Sequence, residues 1–111
     1  MKNSVAPRDL EIARAFVERL ATQVDRQSFR VSLFGSRARG DASEESDLDL
    51  FVALNVDDKD EVIKAAARNI GCDLTLQHGL LVSAFVADRK FLEEHQGYAL
   101  LELIEEEGVP L

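Results

Sequence analysis

The stretch LDLFVAL at residues 48–54 sets Leu48, Leu50, Val52 and Leu54 on one face of an extended chain and Asp49 and Phe51 on the other. Asp47, immediately before it, points the same way as Asp49. Aliphatic side chains at a period of two demand a strand with one face sealed against a core. Strands ordinarily avoid aspartate, so two same-face carboxylates at the start of a buried strand need a chemical reason.

A second segment shares that period. FRVSLFG, residues 29–35, alternates Phe29, Val31 and Leu33 against Arg30, Ser32 and Phe34 and stops at Gly35, as a strand does. Ahead of it, Leu10, Ala13, Phe16, Val17, Leu20 and Val24 recur at helical spacing, and Pro7, Asp9 and Glu11 suit a helix's first turn. After LDLFVAL, the acidic, turn-like NVDDKD leads into EVIKAAARNIGCDLTLQHG. There Val62, Ile63, Ala66, Ala67 and Ile70 form a helical stripe that Gly71 is expected to end or bend. LLVSAFVA has the length and composition of a strand, YALLELIEEE reads as a short helix, and GVPL suits an edge strand. Leu100, Leu101, Leu103 and Ile104 are too many for one face of a short helix; a packed C-terminal core is expected, with a subunit contact as the alternative. No repeat, linker or low-complexity tract interrupts the pattern. The fold class is α/β or α+β, in one domain spanning residues 1–111.

With 111 residues, 46% hydrophobic, the chain can build one modest core and no second domain. A formal net charge of -8 argues against a protein that grips nucleic acid, because phosphate backbones are held by clustered Lys and Arg. Cys72 is the only cysteine, which excludes an intrachain disulfide and a cysteine-rich zinc site and suits a reducing cytoplasm. It is expected in the core of its helix. No apolar run approaches the roughly 18 residues of a membrane span, and the opening MKNSVAPRDLEIARAF is charged, without a secretory apolar core. These features predict a cytoplasmic protein with no membrane contact.

The polar loop between the strands, GSRARGDASEES, carries the remaining signal. Gly35 lets the backbone approach a ligand closely, since no Cβ stands in the way. Ser36 then opens a short helix whose free N–H groups favour a phosphate oxygen. A Walker A loop fails as an explanation: Gly35 and Gly40 have its spacing, but Asp41 and Ala42 stand where Lys and Ser or Thr are required. Two same-face carboxylates without a counter-ion repel, and one tends to keep a proton. A divalent cation removes that repulsion; Mg²⁺ is usually held by one or two carboxylates, waters and substrate phosphates. Asp47 and Asp49 are therefore the candidate metal ligands and catalytic residues, and a nucleoside triphosphate fits between them and the Gly-Ser end. A lone Asp-x-Asp is common in turns and caps, and a lone Gly-Ser says less; the two together, each tied to a strand, are much more specific.

Gly35-Ser36, ten residues, then Asp47-Leu48-Asp49-Leu50 resembles the signature of the nucleotidyltransferase superfamily that includes DNA polymerase β. Arg37, Ala38, Arg39, Gly40 and Ser46 resemble its small prokaryotic branch, the minimal nucleotidyltransferases, and the likeness extends over most of the chain. The resemblance implies a mixed sheet flanked by helices, ATP or another nucleoside triphosphate as substrate, Mg²⁺ as cofactor, and transfer of a nucleoside monophosphate to a hydroxyl. Gly35, Ser36, Arg37 and Arg39 become the nucleotide-binding candidates, although arginines in a polar loop are often simply solvated. Some members of this branch are antitoxins that attach AMP to a tyrosine of a HEPN-family ribonuclease, which is the partner the resemblance implies. Larger relatives that modify small molecules carry an added substrate domain.

The chain departs from the pattern at one point. The superfamily usually supplies a third carboxylate from a strand beside the Asp-x-Asp strand, and LLVSAFVAD has Ser83 in that stretch. Asp88 lies at its far end and Asp73 in the preceding helix. Three readings stay open: an active transferase acting on a protein, a non-catalytic relative that neutralises a partner by binding, and a nucleotide-sensing domain. His78 and His95 are expected at the surface or at helix ends, Glu105, Glu106 and Glu107 form a solvated helix face, and a homo-oligomer is possible.

Overall fold

The computed structural model describes residues 5–111; residues 1–4, the start of the charged opening, lie outside that range. The elements run α1 (Pro7–Ala21), β1 (Phe29–Phe34), α2 (Ser36–Arg39), β2 (Leu48–Leu54), α3 (Val62–His78), β3 (Val82–Ala87), α4 (Arg89–Glu94), α5 (Ala99–Glu107) and β4 (Val109–Pro110). The four strands form one sheet in the order β3-β2-β1-β4. β1 is antiparallel to β2 and to β4, whereas β2 and β3 are parallel, so the sheet is mixed and the fold is α+β. The parallel pair needs a long crossover, which the 17-residue α3 supplies.

The period-two pattern assigns the two faces. Val31 and Leu33 of β1 and Leu48, Leu50, Val52 and Leu54 of β2 point into the main core, against Ile12, Ala13, Phe16 and Leu20 of α1 and Ala67, Ile70 and Leu74 of α3. Full burial of each Leu or Phe contributes roughly 1.5–3 kcal/mol, so this layer dominates the stability of so small a domain. On the opposite face Phe51, Ala87 and Ile104 are buried beneath α4 and α5, with Phe34, Phe85, Phe91, Leu92 and Leu101 packed around them. That cover does not seal the leading ends of β2 and β3, where Asp47 and Ser83 are exposed and Asp49 half-buried.

Several local expectations are corrected by packing. Gly71 neither ends nor bends α3, which continues to His78 and stops at Gly79. A Cβ at Gly71 would meet the Val82 carbonyl at 2.9 Å, so glycine there allows the helix to lie close against β3. Cys72 is exposed, one helical step beyond the buried stripe of Ala67, Ile70, Gly71 and Leu74. Val62, at the first position of the helix, is also exposed. On α5 only Ile104 is fully buried and Leu101 half-buried; Leu100 and Leu103 face out, so the C-terminal core takes half of that apolar set. α4 has no counterpart in the sequence reading, since six residues are too few to display a period. It is capped by Asp88, whose side chain accepts from the Phe91 N–H at 2.8 Å.

Candidate active site

β1 delivers Gly35 to the same end of the sheet at which β2 begins. Phe34 is the cross-strand partner of Asp49, which places Asp49 beside the Gly35 turn. Gly35 has φ of 81° and ψ of -162°, a conformation rarely open to a residue with a side chain. An added Cβ would also fall 2.7 Å from Asp49 Oδ2. Glycine is required twice over, by its dihedral and by the carboxylate lying against it. Ser36 follows at the first position of α2, half-buried, and first-turn amides of a helix have no intrahelical acceptor.

Asp49 is partly buried, and that burial, reinforced by the charge of Asp47, holds its carboxyl above the usual aspartate range. Two carboxylates raising each other's electrostatic cost form the donor set that a hard divalent cation relieves: all oxygen, two charges, one side open to solvent. Asp47 and Asp49 thus fit a hard divalent cation. Among the described residues no group of three or more His, Cys, Asp or Glu side chains converges on one point. Ser83 is the cross-strand partner of Asp49 on parallel β3 and lies on the same face. Asp73 is exposed on α3, and Asp88 is engaged as the α4 cap, its carboxyl held below the usual range first by the Phe91 N–H.

The two arginines of the loop part company. Arg39 is exposed and pairs with Asp41 at 3.2 Å and Glu107 at 3.4 Å, contacts that solvent weakens and a ligand can displace. Arg37 is buried. Its Nη1 binds both oxygens of Asp9 at 2.9 and 3.1 Å, its Nε donates to the Ser46 carbonyl at 2.9 Å, and its Nη2 donates to the carbonyls of Ser43 and Glu44 at 3.3 and 3.2 Å. Each of the three guanidinium nitrogens, all of them donors, thus has an acceptor inside the protein. Expected from sequence among the nucleotide-binding residues, Arg37 here has its guanidinium turned inward, where it organises the loop from within. Asp9, read from sequence as a first-turn helix residue, is the group that sequence reasoning missed. Its partner lies 28 residues away, and no local spacing announces the pair.

Asp49 on β2 with Asp47 just ahead of the strand, a glycine turn pressed against Asp49 and a short helix opening at that turn make up the candidate site on a small mixed sheet. Residues 13–108 match the family model of the nucleotidyltransferase domain, and the chain belongs to that family. Nucleotidyl transfer from a nucleoside triphosphate is the family's chemistry, and its members generally use divalent metal ions. Two relatives from Methanocaldococcus jannaschii are each 30% identical to it. "Putative protein adenylyltransferase MJ0141" aligns over 99 residues, 82% of this chain and 95% of the relative. "Putative protein adenylyltransferase MJ0604" aligns over 95 residues, 86% of this chain and 89% of the relative. No helix among the described residues is long and apolar enough to cross a membrane.

Proposed function

We propose that this protein transfers AMP from Mg²⁺-ATP to a hydroxyl of a partner protein. The observation that carries the reading is the Asp49 carboxylate lying against the Gly35 turn, with Asp47 beside it. The names of the two relatives support adenylyl as the group and protein as the acceptor. In this reading Gly35 and the amides after it receive the phosphates, Ser36 and Arg39 offer further donors, and Asp47 and Asp49 hold the metal ion. A bound magnesium ion would neutralise charge on the phosphates as the reaction proceeds. The acceptor oxygen forms a bond to the α-phosphorus, the bond from that phosphorus to the pyrophosphate oxygen breaks, and the acceptor's proton leaves to solvent or a carboxylate. The open face of β2 and β3 leaves the acceptor side to be completed by the partner. A cytoplasmic HEPN-type ribonuclease, with this chain as its antitoxin, is the partner we favour.

A second reading, binding of nucleotide and partner without rapid transfer, is favoured by Ser83, which places a neutral hydroxyl beside Asp49. Incubating the purified pair with Mg²⁺ and ATP and weighing the partner by mass spectrometry separates the two. An added AMP that disappears in Asp49→Asn supports transfer. An unmodified partner that still forms a complex supports binding alone.

A further inference from the structure

The guanidinium that organises the loop ahead of Asp47 is itself held from outside the loop. Asp9, on α1, is 4% exposed and accepts with both carboxylate oxygens from Nη1 of Arg37, itself 8% exposed. The rest of the guanidinium gathers three backbone carbonyls from residues 43–46. The last of these, the Ser46 carbonyl, lies in the rigid peptide plane that ends at the Asp47 nitrogen. The plane on the other side of Asp47 is held as well, because the Leu48 N–H donates to the Leu81 carbonyl at 2.8 Å. Asp47 therefore carries an exposed carboxylate on a backbone anchored twice, once by Arg37 and once by the chain leading into β3.

A buried ion pair is a weak source of stability, since desolvation offsets most of the attraction and apolar residues can fill the same space. What apolar residues cannot do is hold three carbonyls in a fixed fork. We infer that Asp9 and Arg37 are positioning residues for Asp47: through the Ser46 carbonyl they set where that carboxylate stands relative to Asp49, and so how well the pair takes a divalent cation. The inference rests on the reading of Asp47 as a metal ligand. Groups that orient a metal ligand commonly change affinity by about 10-fold when removed.

The test is Mn²⁺ binding to the metal-free protein, followed by loss of the free-ion electron paramagnetic resonance signal, with circular dichroism confirming that each variant is folded. Asp47→Asn reports on the ligand itself and is expected to weaken Mn²⁺. The double exchange Asp9→Asn with Arg37→Gln removes the clamp without stranding a buried charge, and is expected to weaken Mn²⁺ about 10-fold. In the Asp47→Asn background the same exchange should change affinity by less than about 2-fold, because its route to the metal is gone. Should the double exchange not fold, Arg37→Lys keeps the charge beside Asp9, loses the fork, and is expected to weaken Mn²⁺ by the same route. Wild-type affinity in the clamp variants, with Asp47→Asn weakened, overturns the inference and leaves the metal reading standing. An equal loss in both backgrounds also overturns it, since the effect then bypasses Asp47. No change in Asp47→Asn removes the metal reading and the inference together.

Discussion

Asp49 and Ser83 stand side by side in the parallel ladder of β2 and β3, their side chains leaving the sheet on the same face. Asp49 thus has a carboxylate neighbour, Asp47, just ahead of its own strand and a neutral hydroxyl neighbour across from it. Ser83→Asp would bring a third oxygen charge to that face. The variant is expected to bind Mg²⁺ more tightly than wild type by calorimetry and to raise any rate of transfer. Without metal it should be less stable by up to about 1 kcal/mol, the size of like-charge repulsion between directly opposed strand residues. Unchanged metal affinity would show that Ser83 does not face the ion.

Asp49 itself makes stability depend on pH. Burial first, and then the charge of Asp47, raise its folded pKa above the ordinary value of 3.8. The folded state therefore holds the proton to higher pH than the unfolded chain, and the metal-free protein loses stability as pH climbs from the unfolded pKa through the folded one. Asp49→Asn removes that contribution. Thermal melts without metal should show the variant at least as stable as wild type at pH 7, while its Mg²⁺-ATP affinity falls. A variant that binds Mg²⁺-ATP like wild type would exclude Asp49 as a ligand.

Gly35→Ala meets two obstacles, a left-handed φ of 81° and the Asp49 oxygen 2.7 Å from the new Cβ. Either the turn or the Asp49 carboxylate must shift. The expected cost is about 1–2 kcal/mol in denaturant unfolding, with nucleotide binding reduced further than stability alone explains. Gly79, also at positive φ but with nothing within 4 Å of an added Cβ, is the control. Gly79→Ala should lower stability and leave nucleotide binding intact.

Arg37→Met would leave Asp9 charged, buried and unpaired, a change that typically costs about 3–5 kcal/mol. Replacing both, Asp9→Leu with Arg37→Met, should recover most of that stability because no charge is stranded. Urea unfolding of the two variants checks this. Equal destabilisation in both would mean that the three carbonyls held by Arg37, rather than the ion pair, carry the energetic weight.

Local pattern was enough to read the strands and most helices. Leu48, Leu50, Val52 and Leu54 repeat at the period of a strand, and the burial they demand is met by the main core. Asp47 and Asp49 were legible as a pair because the same period carries them to one face, and Gly35 because a strand must end where its backbone turns. α4 was not legible, since its six residues are anchored by an Asp88 cap and by Phe91 and Leu92 reaching the sheet, contacts with no local period. The exposure of Cys72 turns on a single helical step, which the placement of α3 against β3 decides.

The sequence by itself determined what depends on neighbours along the chain: the periods, the glycine at a turn and the two carboxylates one residue apart where β2 begins. Tertiary structure alone decided what depends on segments far apart. It set Ser83 beside Asp49, because strand register is fixed by the packing of α3. It also turned Arg37 inward to Asp9, 28 residues away, because a buried guanidinium goes where all three of its nitrogens find acceptors, and only the folded chain brings those acceptors together.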